Sequence, residues 1–194
     1  LDIRATPEKI FEPAPDIVID ATGPFQSNEN NTYTIPALCL DRGVDYFDLS
    51  DDAEFTAGIS ILDQKARNRD CHLISGASSV PGLSSIVAAE LGSDFDEILL
   101  IDTVIIPGNQ APRGIGVLRR IWPFELRPTR VRFIQWCANL FLPFGTDRGG
   151  MRVAVIGRKG GEFRQREWRL IAEAGNGPYI PAVVVRTLLR HLKQ

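Results

Sequence analysis

The sequence is poor in the residues that hold metal ions and disulfide frameworks. It contains three cysteines, Cys39, Cys71 and Cys137, far apart and without a Cys-x-x-Cys pair, and two histidines, His72 and His191. Zinc and iron–sulfur sites need clustered ligands, so we predict no bound metal. The cysteine count is odd, and the segments around Cys39 and Cys71 are typical of a protein core, which argues against a disulfide scaffold.

Long apolar runs are absent as well. No stretch approaches the ~18 consecutive apolar residues of a membrane-spanning helix, and the N-terminus has no signal-peptide pattern. We therefore expect a cytoplasmic protein. The chain begins at Leu1 and has one methionine, Met151, so we also expect it to be a piece of a longer protein.

The composition hides a strong charge asymmetry. Apolar residues make up 44% of the 194, enough for a buried core, and the net charge is −2. Residues 1–97 carry 6 Lys and Arg against 18 Asp and Glu, a net charge of −12, and residues 98–194 carry 16 against 6, a net charge of +10. We expect these opposite charges to help the two parts, or two subunits, dock on each other.

Apolar periodicity predicts alternating strands and helices in the first half of the chain. The expected elements are strands at 17–19, 44–49 and 71–75, and helices at 33–42, 51–69 and 84–91. Asp51 and Glu54 have the spacing of a capping box at the start of the second helix. Strand–helix units of this length favour parallel strands.

The second half has a different pattern. A long apolar strand is expected at 98–106, a hairpin at 151–172 around Gly160 and Gly161, and a closing helix at 181–192. We predict an α/β chain with two domains. Residues 1–96 form a Rossmann-like doubly wound parallel sheet, incomplete at its N-terminus, and residues 97–194 form a second α+β domain whose closing helix packs back on the first.

Three loops follow the predicted parallel strands, where doubly wound sheets bind their ligands. Loop 21–25 contains Gly23, which permits close approach of a ligand to the backbone. Loop 48–52 contains three carboxylates, and loop 76–82 contains small residues that lead into a helix, where free N–H groups favour an anion or a carbonyl oxygen. Ordinary turn formation and helix capping are the alternative explanation for each loop.

Taken together and in order, these segments resemble the saccharopine dehydrogenase-like oxidoreductases. The likeness rests on Asp-Ala-Thr-Gly-Pro-Phe at 20–25, Asp-Tyr-Phe-Asp-Leu-Ser-Asp-Asp at 45–52 and Ser-Gly-Ala-Ser-Ser-Val-Pro-Gly at 75–82. It continues through segments 107–114, 143–151 and 175–181 of the second half, and therefore covers most of the chain.

The resemblance implies a Rossmann domain that binds NAD or NADP, joined to a second domain that bears substrate and dimer contacts. The protein is then expected to be a homodimer. The expected cofactor-binding residues lie in the first and third loops: Ala21, Thr22, Gly23, Pro24, Phe25, Gly76, Ala77, Ser78, Pro81 and Gly82.

The glycine-rich G-x-G-x-x-G turn of the family does not occur in this sequence. The resemblance places that turn, with the first strand, first helix and second strand, before the residues that match Leu1. Since it supplies the main pyrophosphate contacts, we expect residues 1–194 alone to bind the cofactor weakly or not at all.

Hydride transfer is the chemistry of the cofactor, and the protein must orient the substrate and manage one proton. Asp48, Asp51 and Asp52 are the candidates for the proton, because clustered carboxylates raise one another's pKa. The alternative is that Asp51 caps a helix and the others are solvated. We expect Tyr33 to take no such role, and His72 to be a satisfied histidine of the core.

Substrate carboxylates would be bound by arginines, which hold them in bidentate fashion. Arg113 and Arg148 lie in glycine-flanked loops and are the best placed, with Asn109 and Asp147 beside them.

Other functions stay open at this point. In segment 118–144 arginines interleave with aromatic residues, a composition that peripheral membrane attachment uses. Nucleic-acid binding is not expected, because no recognised motif accompanies the arginines. A non-catalytic scaffold descended from a dehydrogenase is favoured by the missing glycine-rich turn.

Overall fold

The computed structural model describes residues 6–23, 25, 33–106 and 147–192. These residues form two compact units. Unit 1 contains the described residues up to Ser85 together with those from Pro181 onward, and unit 2 contains those from Ile86 to Ile180.

Unit 1 is built on a three-stranded parallel sheet. Its strands are β1 (Ile17–Asp20), β2 (Asp45–Asp48) and β3 (Leu73–Ile74), with β2 in the centre. The helices are α1 (Thr34–Asp41), α2 (Ala53–Gly58), α3 (Asp63–Arg69), the start of α4 (Ser84–Gly92) and α5 (Ala182–Leu192). Shorter helical turns lie at Pro7–Phe11, Ile59–Leu62 and Ser79–Leu83. The predicted parallel strands are confirmed.

Both faces of this sheet are covered. Adjacent residues of β2 point to opposite sides, and each packs in an apolar cluster of its own. Tyr46 packs in one cluster, with Val18 of β1, Cys39 of α1 and Phe55 of α2. Phe47 packs in another, with Ala77 and with Val184, Val185, Leu188 and Leu189 of α5. The closing helix therefore lies against the sheet through these four side chains, while Leu192 at its end is exposed.

Helix boundaries depart from the sequence predictions at α2. The capping residue is Asp52 and not Asp51: its carboxylate accepts a hydrogen bond from the Phe55 N–H at 2.8 Å. The helix starts late because Ser50 bonds to Asp48 and Asp52 bonds to Ser50, which holds these residues in turns. The predicted helix 51–69 is also divided, and the first break lies at Gly58, a poor helix former.

The prediction of a core histidine at His72 is wrong. The expected strand 71–75 is reduced to Leu73–Ile74, since the Cys71 N–H donates to the Ala66 carbonyl and the His72 N–H to the Asp45 carboxylate. The His72 ring is exposed, with Nδ1 3.3 Å from Asp45 Oδ2.

Unit 2 contains a separate antiparallel sheet with the order β4 (Glu97–Ile106), β5 (Gly149–Lys159) and β6 (Glu162–Ala172). The predicted hairpin between β5 and β6 is confirmed, and both turn glycines have the positive φ that this tight turn needs, +61° at Gly160 and +82° at Gly161. Central strand β5 is buried, with Val153 and Val155 at 0% exposure. The chain is thus mixed α/β, with one parallel and one antiparallel sheet.

The position of the cap can be tested with neighbouring aspartates. Asp52→Ala is expected to lower the free energy of unfolding by about 1 kcal/mol, because α2 loses the acceptor for its first-turn N–H. Asp51→Ala, one residue earlier and exposed, is the matched control and is expected to cost less than half as much. Urea denaturation of both variants measures the difference, and equal losses would contradict the assignment of the cap.

Candidate functional site

The loops that follow the three parallel strands are joined by polar side chains at the carboxyl edge of the sheet. Asp20 ends β1 and Asp48 ends β2, and the two are direct neighbours in the register. Both are buried. Loops 21–25, 49–52 and 75–82 leave the sheet at this edge, where α/β proteins bind ligands.

Asp48 is the centre of this arrangement. Its side chain is fully buried, and Oδ1 accepts three hydrogen bonds of 2.9 Å, from the Ser50 N–H, the Ser75 hydroxyl and the Gly76 N–H. Its backbone carbonyl accepts a fourth from the Ala77 N–H at 2.8 Å. Asp48 thereby fastens the loops after β2 and β3 to the same point of the sheet. Among the described residues, its Oδ2 has no hydrogen-bond partner.

Burial raises the pKa of Asp48, and the negative charge of Asp20 adds to the rise. The three donors at Oδ1 oppose it, because they stabilise the ionised form. Mutual repulsion among Asp48, Asp51 and Asp52, the reason expected from the sequence, is not the cause: burial comes first and the carboxylate involved is Asp20. Asp48 is also not solvated, and Asp52 serves as the helix cap.

Asp20 was not singled out by the sequence analysis. Oδ1 accepts hydrogen bonds from the N–H and the hydroxyl of Thr22, at 2.9 and 2.6 Å, and Oδ2 accepts one from the Tyr46 hydroxyl at 3.2 Å. Burial and the neighbouring Asp20 raise the pKa of Tyr46, so its hydroxyl stays a donor. The sequence signal that could have predicted the role of Asp20 is Asp-x-Thr after a strand, the pattern of an Asx turn.

The first three residues of loop 21–25 lie at the surface. Ala21, Thr22 and Gly23 are exposed, Pro24 lies outside the described residues, and the Phe25 ring packs 4.9 Å from that of Phe55. A Cβ built at Gly23 meets nothing among the described residues nearer than the Phe25 ring, at 3.6 Å, an ordinary contact. The described residues therefore leave room for a side chain at this position.

Loop 75–82 requires its glycines. Gly76 has φ +72°, and a Cβ there would lie 2.9 Å from Pro81 and 3.0 Å from Thr56. At Gly82 a Cβ would lie 2.6 Å from the Gly76 carbonyl oxygen. Within the loop, the Ser78 hydroxyl donates to the Val80 carbonyl at 2.7 Å, and Ala77 and Ser78 are buried.

Tyr33 lies beside the same edge. Its hydroxyl donates to the Phe55 carbonyl at 3.0 Å, and its ring lies 5.1 Å from that of Phe55. Partial burial raises the pKa of Tyr33, with contributions from Asp52 and Asp48, so the hydroxyl is a donor at neutral pH. Its hydroxyl is thus engaged with the backbone of α2.

The substrate-binding candidates fall into two groups. Asn109 and Arg113 lie outside the described residues, as does segment 118–144. Asp147 and Arg148 are exposed in unit 2, where Arg148 pairs with Glu173 at 3.2 Å.

Within the part of the chain that the structure describes, no group of three or more histidine, cysteine or carboxylate side chains is arranged to hold a metal ion. None of the described helices has the length and apolar character to cross a membrane. Comparison with family models and with curated proteins gives no match.

Gly76, where a side chain would collide with its neighbours, and Gly23, where one fits, can be compared in a stability test. Gly76→Ala is expected to lower the free energy of unfolding by about 2 kcal/mol or more, because the new methyl group combines a positive φ with contacts near 3 Å. Gly23→Ala is the matched control, expected to stay within about 0.5 kcal/mol of the wild type. Thermal or urea denaturation measures both, and a tolerant Gly76 would show that the loop does not pack as described.

A second test uses the pH dependence of stability. A raised pKa means that folded Asp48 holds its proton more tightly than the unfolded chain, so its contribution to stability is complete below the unfolded pKa of about 3.9. That contribution is lost as pH rises through the folded pKa. Wild type is therefore expected to lose stability relative to Asp48→Asn as pH rises above about 4, measured by urea denaturation at a series of pH values.

In the same series of pH values, Asp48→Ala distinguishes the effect of the proton on stability from that of the hydrogen bonds. It removes the acceptor and leaves the buried N–H groups of Ser50 and Gly76 unpaired, so it should cost about 3 kcal/mol or more relative to Asp48→Asn, by the same amount at every pH. Parallel pH profiles for wild type and Asp48→Asn would contradict a raised pKa.

Proposed function

We propose that this chain belongs to a cytoplasmic NAD(P)-dependent oxidoreductase of the saccharopine dehydrogenase-like type. It would transfer hydride to or from a small amino-acid-like, carbonyl or imine substrate. In this proposal the parallel sheet of unit 1 is part of a Rossmann-like doubly wound sheet. The single observation that carries the proposal is the convergence of the loops after β2 and β3 on Asp48, next to the end of β1.

Two features of the loops support a nicotinamide site. Ligands of open parallel sheets bind at the carboxyl ends of the strands, where all three loops begin. Gly23 is exposed in the first of them, and the described residues leave room for a side chain that the sequence does not use. A planar ring lying against the backbone would account for a glycine at a position where the described residues leave room for a side chain.

The residues of this chain would hold the cofactor and orient the substrate, while the nicotinamide would supply the hydride chemistry when bound. Gly23 and its neighbours would border the ring, and Asp48 would act as a positioning residue that keeps loop 75–82 in place. Asp48 is too deeply buried to touch a substrate in the described conformation. Arg148 is the described candidate for a substrate carboxylate, which would displace its present partner Glu173.

The proposal can be tested by saturation-transfer difference NMR with NADH and with NADPH, a method that detects weak binding. Because the glycine-rich turn does not occur in this sequence, we expect weak signals, on the nicotinamide protons of at least one of them, with the wild-type chain. Gly23→Val should reduce these signals severalfold, because its side chain occupies the space of the ring. Its melting temperature should stay within about 2 °C of the wild type.

Asn68→Val is the control, since it places the same valine side chain at an exposed position of α3, which leads to the amino end of β3. It should leave the nicotinamide signals unchanged. Absence of signals with both nucleotides, or equal signals with Gly23→Val, would overturn the proposal and favour a non-catalytic scaffold.

A further inference from the structure

Tyr46 and Phe47 occupy neighbouring positions of the central strand β2, and both side chains are fully buried. Phe47 packs in its apolar cluster with a ring that has no polar atom. Tyr46 packs in the other apolar cluster but carries a hydroxyl group, which is costly to bury without a partner. The partner is Asp20, whose Oδ2 accepts a hydrogen bond from the Tyr46 hydroxyl at 3.2 Å. The apolar cluster needs only the ring, so Asp20 explains the hydroxyl.

Asp20 uses its other oxygen to hold the start of loop 21–25. Oδ1 accepts hydrogen bonds from the N–H and the hydroxyl of Thr22, at 2.9 and 2.6 Å. Asp20 is buried, whereas Thr22 and the following Gly23 are exposed. Because a packed side chain has little freedom to move, its two bonds to Thr22 fix the direction in which the exposed backbone leaves β1.

The end of the same loop is anchored as well. Phe25 is buried in the apolar cluster that contains Tyr46, and its ring lies 4.9 Å from that of Phe55. Gly23 therefore lies between two anchors, the hydrogen bonds of Asp20 before it and the packed ring of Phe25 after it. Tyr46 takes part in both, through its hydroxyl in the first and through its ring in the second.

An exposed glycine gives a loop many conformations, and a ligand that binds there must select one of them at an entropic cost. Anchors on both sides reduce that cost before the ligand arrives, which is the advantage of a preorganised site. We propose that Asp20 and Tyr46 are positioning residues, which hold the backbone at Thr22 and Gly23 in the conformation that a nicotinamide ring needs. Both are buried, so they act through the loop and not by touching the ligand. This inference rests on the proposed function, because it concerns the same ligand.

The test combines two measurements: the nicotinamide signals in saturation-transfer difference NMR, with nucleotide below saturation, and hydrogen exchange of the Thr22 amide without nucleotide. Tyr46→Phe removes one oxygen and keeps the ring in the cluster, so its melting temperature should stay within about 4 °C of the wild type. Its nicotinamide signals should fall about threefold, the effect of one hydrogen bond, and its Thr22 amide should exchange faster. Both are measured where each variant is fully folded, so a loss of stability alone does not change the signals.

Substitutions of Asp20 extend the series. Asp20→Ala removes the acceptor of both Thr22 bonds and should reduce the nicotinamide signals at least about tenfold. Asp20→Asn keeps a carbonyl oxygen for Thr22, and the Tyr46 hydroxyl can accept from its amide group. It should therefore restore the signals to within about twofold of the wild type.

Tyr179→Phe is the matched control, since it removes the same hydroxyl from an exposed tyrosine of unit 2. It should change neither the nicotinamide signals nor the exchange of the Thr22 amide. A wild type without nicotinamide signals would overturn the proposed function and this inference with it. Wild-type signals that persist at full strength in Tyr46→Phe and Asp20→Ala, or a Thr22 amide that exchanges at the wild-type rate in both, would overturn the inference alone.

Discussion

The carboxyl group of Asp48 is the contact on which unit 1 depends. The parallel sheet is small, with four residues in each of β1 and β2 and two in β3, so its backbone ladder alone holds the strands with few hydrogen bonds. Asp48 adds three at the carboxyl edge, and they reach the turn before α2 and the loop after β3. Without this acceptor, the buried N–H groups of Ser50 and Gly76 would lack a partner, a cost comparable to that of losing a core side chain.

Asp48 is buried, and burial makes the ionised form of its side chain unfavourable. All three donors reach Oδ1, and Oδ2 has no partner among the described residues, so Oδ2 is the atom that carries the proton when the group is neutral. Asp20 lies next to it in the register and raises its pKa further, because two buried carboxylates in adjacent strands repel each other. Tyr46 and Thr22 donate to Asp20, so both oxygens of that carboxylate have a donor, whereas Asp48 Oδ2 has none among the described residues.

The local sequence patterns predicted most of the regular elements but few of the contacts at the site. The strands around Val18 and Phe47, helix α1 and the hairpin at Gly160 follow from periodicity and turn residues, which act over a few residues. The sequence could not predict that Asp52 rather than Asp51 caps α2, since adjacent aspartates cap equally well. The cap is fixed by the hydrogen bonds that hold Ser50 to Asp48 and Asp52 to Ser50. Asp20 was missed because its partner Tyr46 is 26 residues away and becomes its neighbour only through the register of β1 and β2.

The charge asymmetry along the sequence also takes a different meaning in the folded chain. Asp94 and Glu97 are counted in the acidic half, yet they belong to unit 2, where they pair with Arg166 and Arg158. Much of the positive charge of the described β5 and β6 is therefore balanced within the same unit. Charges already paired at short range contribute little to long-range attraction in salt. In the described part of unit 2, the charge that looks asymmetric along the sequence is therefore largely taken up by ion pairs within a single sheet.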